Sequence, residues 1–194
     1  MFVREKGTIM ELILIRHGQP DYSEVTERKY IGHGRDLAKL TELGKEQAEK
    51  VSKDERLKGA EIILSSPYTR ALQTAAIISK NTGIPIEVET DLIEWMPDLT
   101  FTYDGPKNFA EIDAEIIKCK GEWNPQCKYH WESFSSVGKR AFNIIKKYLG
   151  YKKVIVVAHG VLMRQFVYMD EVPNCEVIIM EFSEDSQYNG YVEN

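Results

Sequence analysis

The residues best suited to chemistry stand in three short stretches, each where an apolar run gives out. The first is Arg16-His17-Gly18, directly after the run 9–15. A histidine at the carboxyl end of a strand points its ring into the crevice where open α/β sheets bind ligands. The adjacent arginine offers a planar fork for phosphate oxygens, and glycine lets backbone approach a tetrahedral anion. Taken alone, the tripeptide fits a solvated surface histidine equally well. The second stretch is Ser65-Ser66-Pro67-Tyr68-Thr69-Arg70-Ala71-Leu72-Gln73-Thr74-Ala75, a strand end, a turn and a helix starting near Pro67. Arg70 falls in its first turn, where it reaches the same crevice beside the helix's free N–H groups and positive dipole end. The competing reading is a surface arginine paired with a carboxylate. The third is Ala158-His159-Gly160, which repeats the geometry of the first. Two of the chain's four histidines therefore sit beside glycine at strand-to-helix junctions, which points to one shared site.

The elements that must position these residues follow from hydrophobic pattern. Compact apolar runs at 9–15, 60–64 and 153–158 read as buried parallel strands, with weaker candidates at 84–88 and 176–182. A helical pattern spans 41–57, opened by Thr41, acidic at Glu42 and Glu46, with Leu43, Ala48 and Val51 at helical spacing. Similar patterns occupy 68–80 and 133–149, and a shorter one 161–168. Strands alternating with helices predict a three-layer α/β/α sandwich around a mostly parallel sheet, in one domain over 1–194. Residues 95–131 break this rhythm, with Pro97, Gly105, Pro106, Gly121 and Pro125 around one predicted helix at 108–120. They read as a cap-like insertion above the sheet. Its aromatics, Trp95, Phe101, Tyr103, Phe109, Trp123, Tyr129 and Trp131, either line a pocket or form the insertion's own small core, and the core is expected for most of them. His130 and Lys107 are expected to be solvated.

Composition narrows the partners. The 194 residues are 43% hydrophobic, enough for one sizeable core. Thirty acidic against twenty-five basic residues give a net charge of −5, which exerts no pull towards nucleic acid or acidic lipid. Any bound anion must be held by a local cluster. Three cysteines, Cys119, Cys127 and Cys175, without a CxxC pair, argue against both a disulfide framework and a zinc site and fit a reducing cytoplasm. Arg4 and Lys6 precede an apolar stretch that is short, contains Glu11 and lacks a small-residue cleavage pattern, so no signal peptide is expected. Met10 offers an alternative start, which would make 1–8 a dispensable arm. No run approaches the roughly 20 apolar residues that a membrane-spanning helix needs.

The order Arg-His-Gly, then SSPYTRALQTA, then Leu92-Ile93-Glu94, then Ala-His-Gly resembles the histidine phosphatase superfamily, and most closely its phosphoglycerate-mutase-like branch, over about 9–182. Gly32, Asp36, Leu40-Thr41, Gly44, Gln47 and Ala48 are similar to the family's segment before its first long helix. The resemblance implies a nucleophilic His17 whose second ring nitrogen bonds a backbone carbonyl, that of Gly18, and a phosphate pocket of Arg16, Arg70 and His159. It implies Glu94 as general acid, with Glu89, Asp91 and Asp98 close enough to compete, and a reaction without metal or cofactor on a small-molecule phosphate ester. Ser23 stands where many relatives place a phosphate-holding asparagine, so its hydroxyl is expected to substitute. Trp95-Met96-Pro97-Asp98 replaces the family's Gly-x-Trp-Glu-Gly, and the ERHYG-like segment of the mutases is missing, which disfavours mutase activity. Glu132-Ser133 matches a family Glu-Ser pair, with Ser133 read first as a helix N-cap. Two alternatives stand beside this reading. One is a phosphate-binding regulatory module with little turnover. The other is a two-metal phosphoesterase, for which four scattered histidines are a poor ligand set.

Overall fold

A computed structural model describes residues 8–105 and 108–191. Lys107 and nearly all of the 1–8 arm lie outside the described residues. The first strand, β1 (Met10–Arg16), shows how the layers arise. Successive side chains of a strand face opposite sides of the sheet. Met10, Leu12 and Leu14 accordingly join one core, and Ile13 and Ile15 the other, all fully buried. A strand apolar on both faces requires helices on both.

The chain continues through a two-residue ladder, β2 (Pro20–Asp21) with β3 (Lys39–Leu40), enclosing α1 (Ser23–Glu27) and a 3₁₀ helix at Gly32–Leu37. Next come α2 (Glu42–Val51), β4 (Ile62–Ser65), α3 (Thr69–Thr82) and β5 (Ile86–Val88). Segment 95–131 holds α4 (Phe109–Lys118), after which α5 (Phe134–Lys146), β6 (Lys153–Ala158), α6 (Gly160–Met163) and β7 (Val177–Phe182) complete the fold. Strand order is β5-β4-β6-β1-β7, parallel throughout except for β7, which runs antiparallel on the edge beside β1. Val51 of α2 and Ala71, Ala75 and Ile78 of α3 cover one face. Val137, Ala141 and Ile145 of α5, with Leu162 of α6, cover the other. The expected three-layer sandwich is therefore present. No helix of the described residues is long and apolar enough to cross a membrane.

Several element boundaries differ from the sequence expectation. The helix predicted over 41–57 stops at Val51, because Asp54 adopts extended backbone and caps a separate 3₁₀ turn at Glu55–Leu57 through the Arg56 N–H. Thr41 does cap α2, accepting the Gly44 N–H at 2.9 Å. Leu43, expected on the packed face, is 49% exposed; Gly44, Ala48 and Val51 carry that face instead. The helix expected over 161–168 ends at Met163. Ser133 occupies the N-cap position of α5 but makes no cap bond, since its hydroxyl accepts the Trp123 N–H at 2.9 Å. The cysteines are free thiols, with Cys119 and Cys127 Sγ atoms 3.4 Å apart within the insertion.

Candidate active site

Register brings the chemistry together. β1 and β6 are parallel neighbours with Arg16 opposite Ala158, so the next residues, His17 and His159, leave the sheet side by side, ring centroids 5.1 Å apart. Ser65 of β4 pairs with Val157, which sets Ser66 beside them. All three strands end at one edge, the position where a parallel sheet binds ligands.

His17 is buried and clamped on both ring nitrogens. Its Nδ1 lies 2.7 Å from the Gly18 carbonyl oxygen, an acceptor, so Nδ1 carries the proton. Its Nε2 accepts a hydrogen bond from Arg70 Nε at 3.2 Å, which agrees with a lone pair there. Burial foremost, then the Arg70 guanidinium, drive the ring's pKa down to about 3 against the opposing Gly18 bond, and Arg16 adds a smaller push. The imidazole is thus neutral at physiological pH. Arg70 is itself buried and held by Asp36 Oδ1 at 3.0 Å, so it is both ion-paired and directed at the histidine.

His159 is wholly buried, and burial first, with Arg70 second, holds its pKa well below the ordinary range. Its Nε2 lies 2.7 Å from Ser66 Oγ, which also receives the Tyr68 N–H. In the tautomer where the Ser66 hydroxyl donates to Nε2, the imidazole proton stands on Nδ1. Among the described residues neither His159 Nδ1 nor the buried Nε of Arg16 has a partner, whereas Arg16 Nη1 is anchored on the Val172 carbonyl. Buried polar nitrogens without partners are rare, and two beside the neutral His17 ring suit an anion.

Glu94 stands at the cavity wall with Arg70. Its Oε1 accepts the N–H groups of Trp95 and Leu162, and its Oε2 that of Val161, at 2.8–3.2 Å. A Cβ built on Gly160 would stand 3.7 Å from the Arg16 guanidinium and 4.0 Å from Glu94 Oε2, so both groups border the same space. Of the nearby carboxylates, Glu89 accepts the Tyr148 hydroxyl, and Asp91 is absent from the cavity lining. Asp98 lines the cavity, but burial, which raises its pKa, is outweighed by hydrogen bonds from Thr100 and Thr102 that hold it low.

Two predicted contacts are not brought to the site as expected. Ser23 is exposed at the start of α1, its hydroxyl and N–H turned to Asp21. Gly18 offers no N–H to an anion, because that group donates to Thr74 Oγ1 at 3.0 Å. Its glycine character serves packing instead: a Cβ there would stand 2.4 Å from the Gly44 carbonyl oxygen.

Sequence reasoning missed the device that positions Glu94. Arg140 donates to the carbonyls of Asp91, Ile93 and Glu94 and to both oxygens of the buried Glu132 carboxylate. One guanidinium thereby fixes the loop that carries Glu94. No spacing rule links residue 140 to the loop, which only tertiary packing delivers to it. The aromatics divide: Trp123, Tyr129 and Trp131 pack into the core, while Trp95, Phe101, Tyr103 and Phe109 line a cavity of about 710 Å³. The expectation of a structural role for most of them therefore holds for the first group and for Trp95, which is buried in the core as well as lining the cavity, and fails for Phe101, Tyr103 and Phe109. His130 is exposed and packs on the Trp123 ring.

This arrangement of neutral histidine, arginines and second histidine agrees with the family match. Residues 12–188 match the model of the histidine phosphatase superfamily, branch 1, and the chain belongs to that superfamily. It is a phosphatase. A protein of Hydrogenobacter thermophilus named "Putative phosphoserine phosphatase 2" is 30% identical over 77% of this chain and 72% of its own length. A glucosyl-3-phosphoglycerate phosphatase of Mycolicibacterium vanbaalenii is 25% identical over 80% of this chain and 71% of its own. Among solved structures, YhfR of Bacillus stearothermophilus superposes with a TM-score of 0.69 at 22% identity, covering 95% of this chain and 96% of that one.

Proposed function

We propose that the chain hydrolyses phosphate monoesters in two in-line steps through a phosphohistidine on His17, without a metal. The observation that carries this reading is the tautomer lock: Nδ1 is tied to the Gly18 carbonyl, and Nε2 presents its lone pair beside Arg70. In the first step Nε2 forms a bond to phosphorus as the ester P–O bond breaks, and the leaving alkoxide takes the proton of Glu94. Charge on the phosphoryl oxygens is met by Arg16 Nε, the Arg70 guanidinium and His159 Nδ1–H, the contribution that a metal ion would make elsewhere. In the second step water attacks phosphorus, gives its proton to the Glu94 carboxylate and releases inorganic phosphate, which restores neutral His17. A cytoplasmic location is part of the same proposal, supported by the free thiols at Cys119, Cys127 and Cys175.

Trapping labelled enzyme during turnover tests the assignment. The label is expected on His17 as an acid-labile, alkali-stable bond and is expected to vanish in His17→Asn. Label on His159, serine or cysteine would refute it, and a regulatory module would show no phosphate release at all.

A further inference from the structure

From the cavity beside the phosphate pocket we infer that the natural leaving group is an uncharged or cationic alcohol with a sizeable apolar, aromatic-compatible body, not a carboxylate-bearing or multiply phosphorylated one. This rests on the phosphatase reading above and names the substrate class for that same site. The cavity, about 710 Å³, begins at Arg70, Glu94 and Val161 and runs outward between α1, the 3₁₀ helix at Gly32–Leu37 and the insertion. A volume of that order holds a drug-sized ligand, far more than a phosphorylated three-carbon acid requires.

The chemistry of its walls sets the preference. Tyr22, Trp95, Phe101, Tyr103 and Phe109 supply aromatic surface, and Phe101 and Phe109 remain 51% and 45% exposed in the free protein. Phe101 holds the left-handed conformation at φ 61°, which a bulky residue adopts only at a cost. The turn that imposes it is tied down by Asp98, which accepts from Thr100 and Thr102, and by the Gly32 N–H on the Tyr103 carbonyl at 2.7 Å. Gly32 permits this approach, since a Cβ there would stand 2.4 Å from the Phe101 carbonyl oxygen. The fold thus spends backbone strain and a close glycine contact to keep an apolar ring at the cavity wall.

Charge points the same way. Besides Glu94, which carries the proton for the leaving group, the described lining holds three carboxylates, Asp36, Asp98 and Asp104, against two guanidiniums, Arg35 and Arg70. Arg70 serves the phosphoryl group, and Arg35 is turned to the Asp104 carbonyl and the Tyr22 ring. A second anion on the leaving group would meet carboxylates with little cation to answer them.

Three alkyl esters whose alcohols are of similar basicity test the inference: 2-(2-naphthyl)ethyl phosphate, ethyl phosphate and 2-carboxyethyl phosphate. The expected kcat/KM of the naphthyl ester exceeds that of ethyl phosphate by at least about 100-fold, and the carboxyethyl ester falls at or below ethyl phosphate. The double variant Phe101→Ala, Phe109→Ala, made at two half-exposed positions, is expected to shrink the naphthyl preference by about tenfold. Near-equal values for the naphthyl and ethyl esters, preference for the carboxylated ester, or an unchanged preference in the double variant would overturn the substrate class while leaving the phosphatase intact. Failure of every ester to label His17 or release phosphate would overturn both.

Discussion

The floor of the site and its roof are built by opposite means. The floor comprises His17, Ser66, Arg70 and His159, all buried, all within a few residues of the ends of three adjacent parallel strands and placed by strand register. The roof comprises Trp95, Phe101, Tyr103 and Phe109, drawn from loops and the start of α4, with two of the rings half exposed. Register is quantised, since a slip of one residue reverses every side chain, so the floor has one geometry. Loops that run over a surface carry no such constraint and are where ligand choice is made. Under the proposed mechanism, phosphate capture therefore falls to the rigid floor and leaving-group choice to a surface that can vary.

Glu94 joins the two regions, and it offers the largest effect by which to separate them. Glu94→Gln is expected to slow the first step for an alkyl phosphate by roughly 10²–10⁴-fold while p-nitrophenyl phosphate, whose phenolate leaves unaided, suffers much less. Single-turnover rates make the comparison, because in the proposed mechanism the same carboxylate also serves the water step. Equal losses for both esters would mean that Glu94 positions the substrate and belongs to the roof. A smaller contrast is expected between the two cavity arginines. Arg70→Ala should lose about 100-fold in kcat/KM, or about 3 kcal/mol of transition-state stabilisation, and Arg35→Ala less than about tenfold on ethyl phosphate. Similar losses would erase the division between floor and roof.

The last test concerns stability. His17, with its pKa lowered from 6.5 to about 3, stays neutral in the folded chain while the unfolded chain takes up a proton. Between about pH 6.5 and 3 the unfolded state therefore binds more protons, so stability falls on acidification through that window and none of this loss is present above it. Unfolding free energies followed from pH 7 to pH 4 should fall more steeply for the natural chain than for His17→Asn, by up to about 1.4 kcal/mol per pH unit. Parallel curves would show that the floor is less closed to water than its burial indicates.

Much of the floor was legible before the structure. The RHG and AHG junctions and Arg70 could be read because each motif follows its strand directly, so local sequence order also gives spatial order. The apolar runs determined the layers, and Thr41 its own helix start. What the sequence could not determine were relations between segments distant along the chain. Arg140 reaches the Asp91–Glu94 loop only because α5 packs against it, Asp36 meets Arg70 only through the 3₁₀ segment, and Gly18 is glycine because α2 crosses it at Gly44. The same holds for the aromatics, where a tryptophan at 123 and one at 95 look alike in sequence, yet one packs into the core and the other also walls the cavity. Hydrophobicity says that such rings must be covered, and only the tertiary arrangement decides whether protein or ligand covers them.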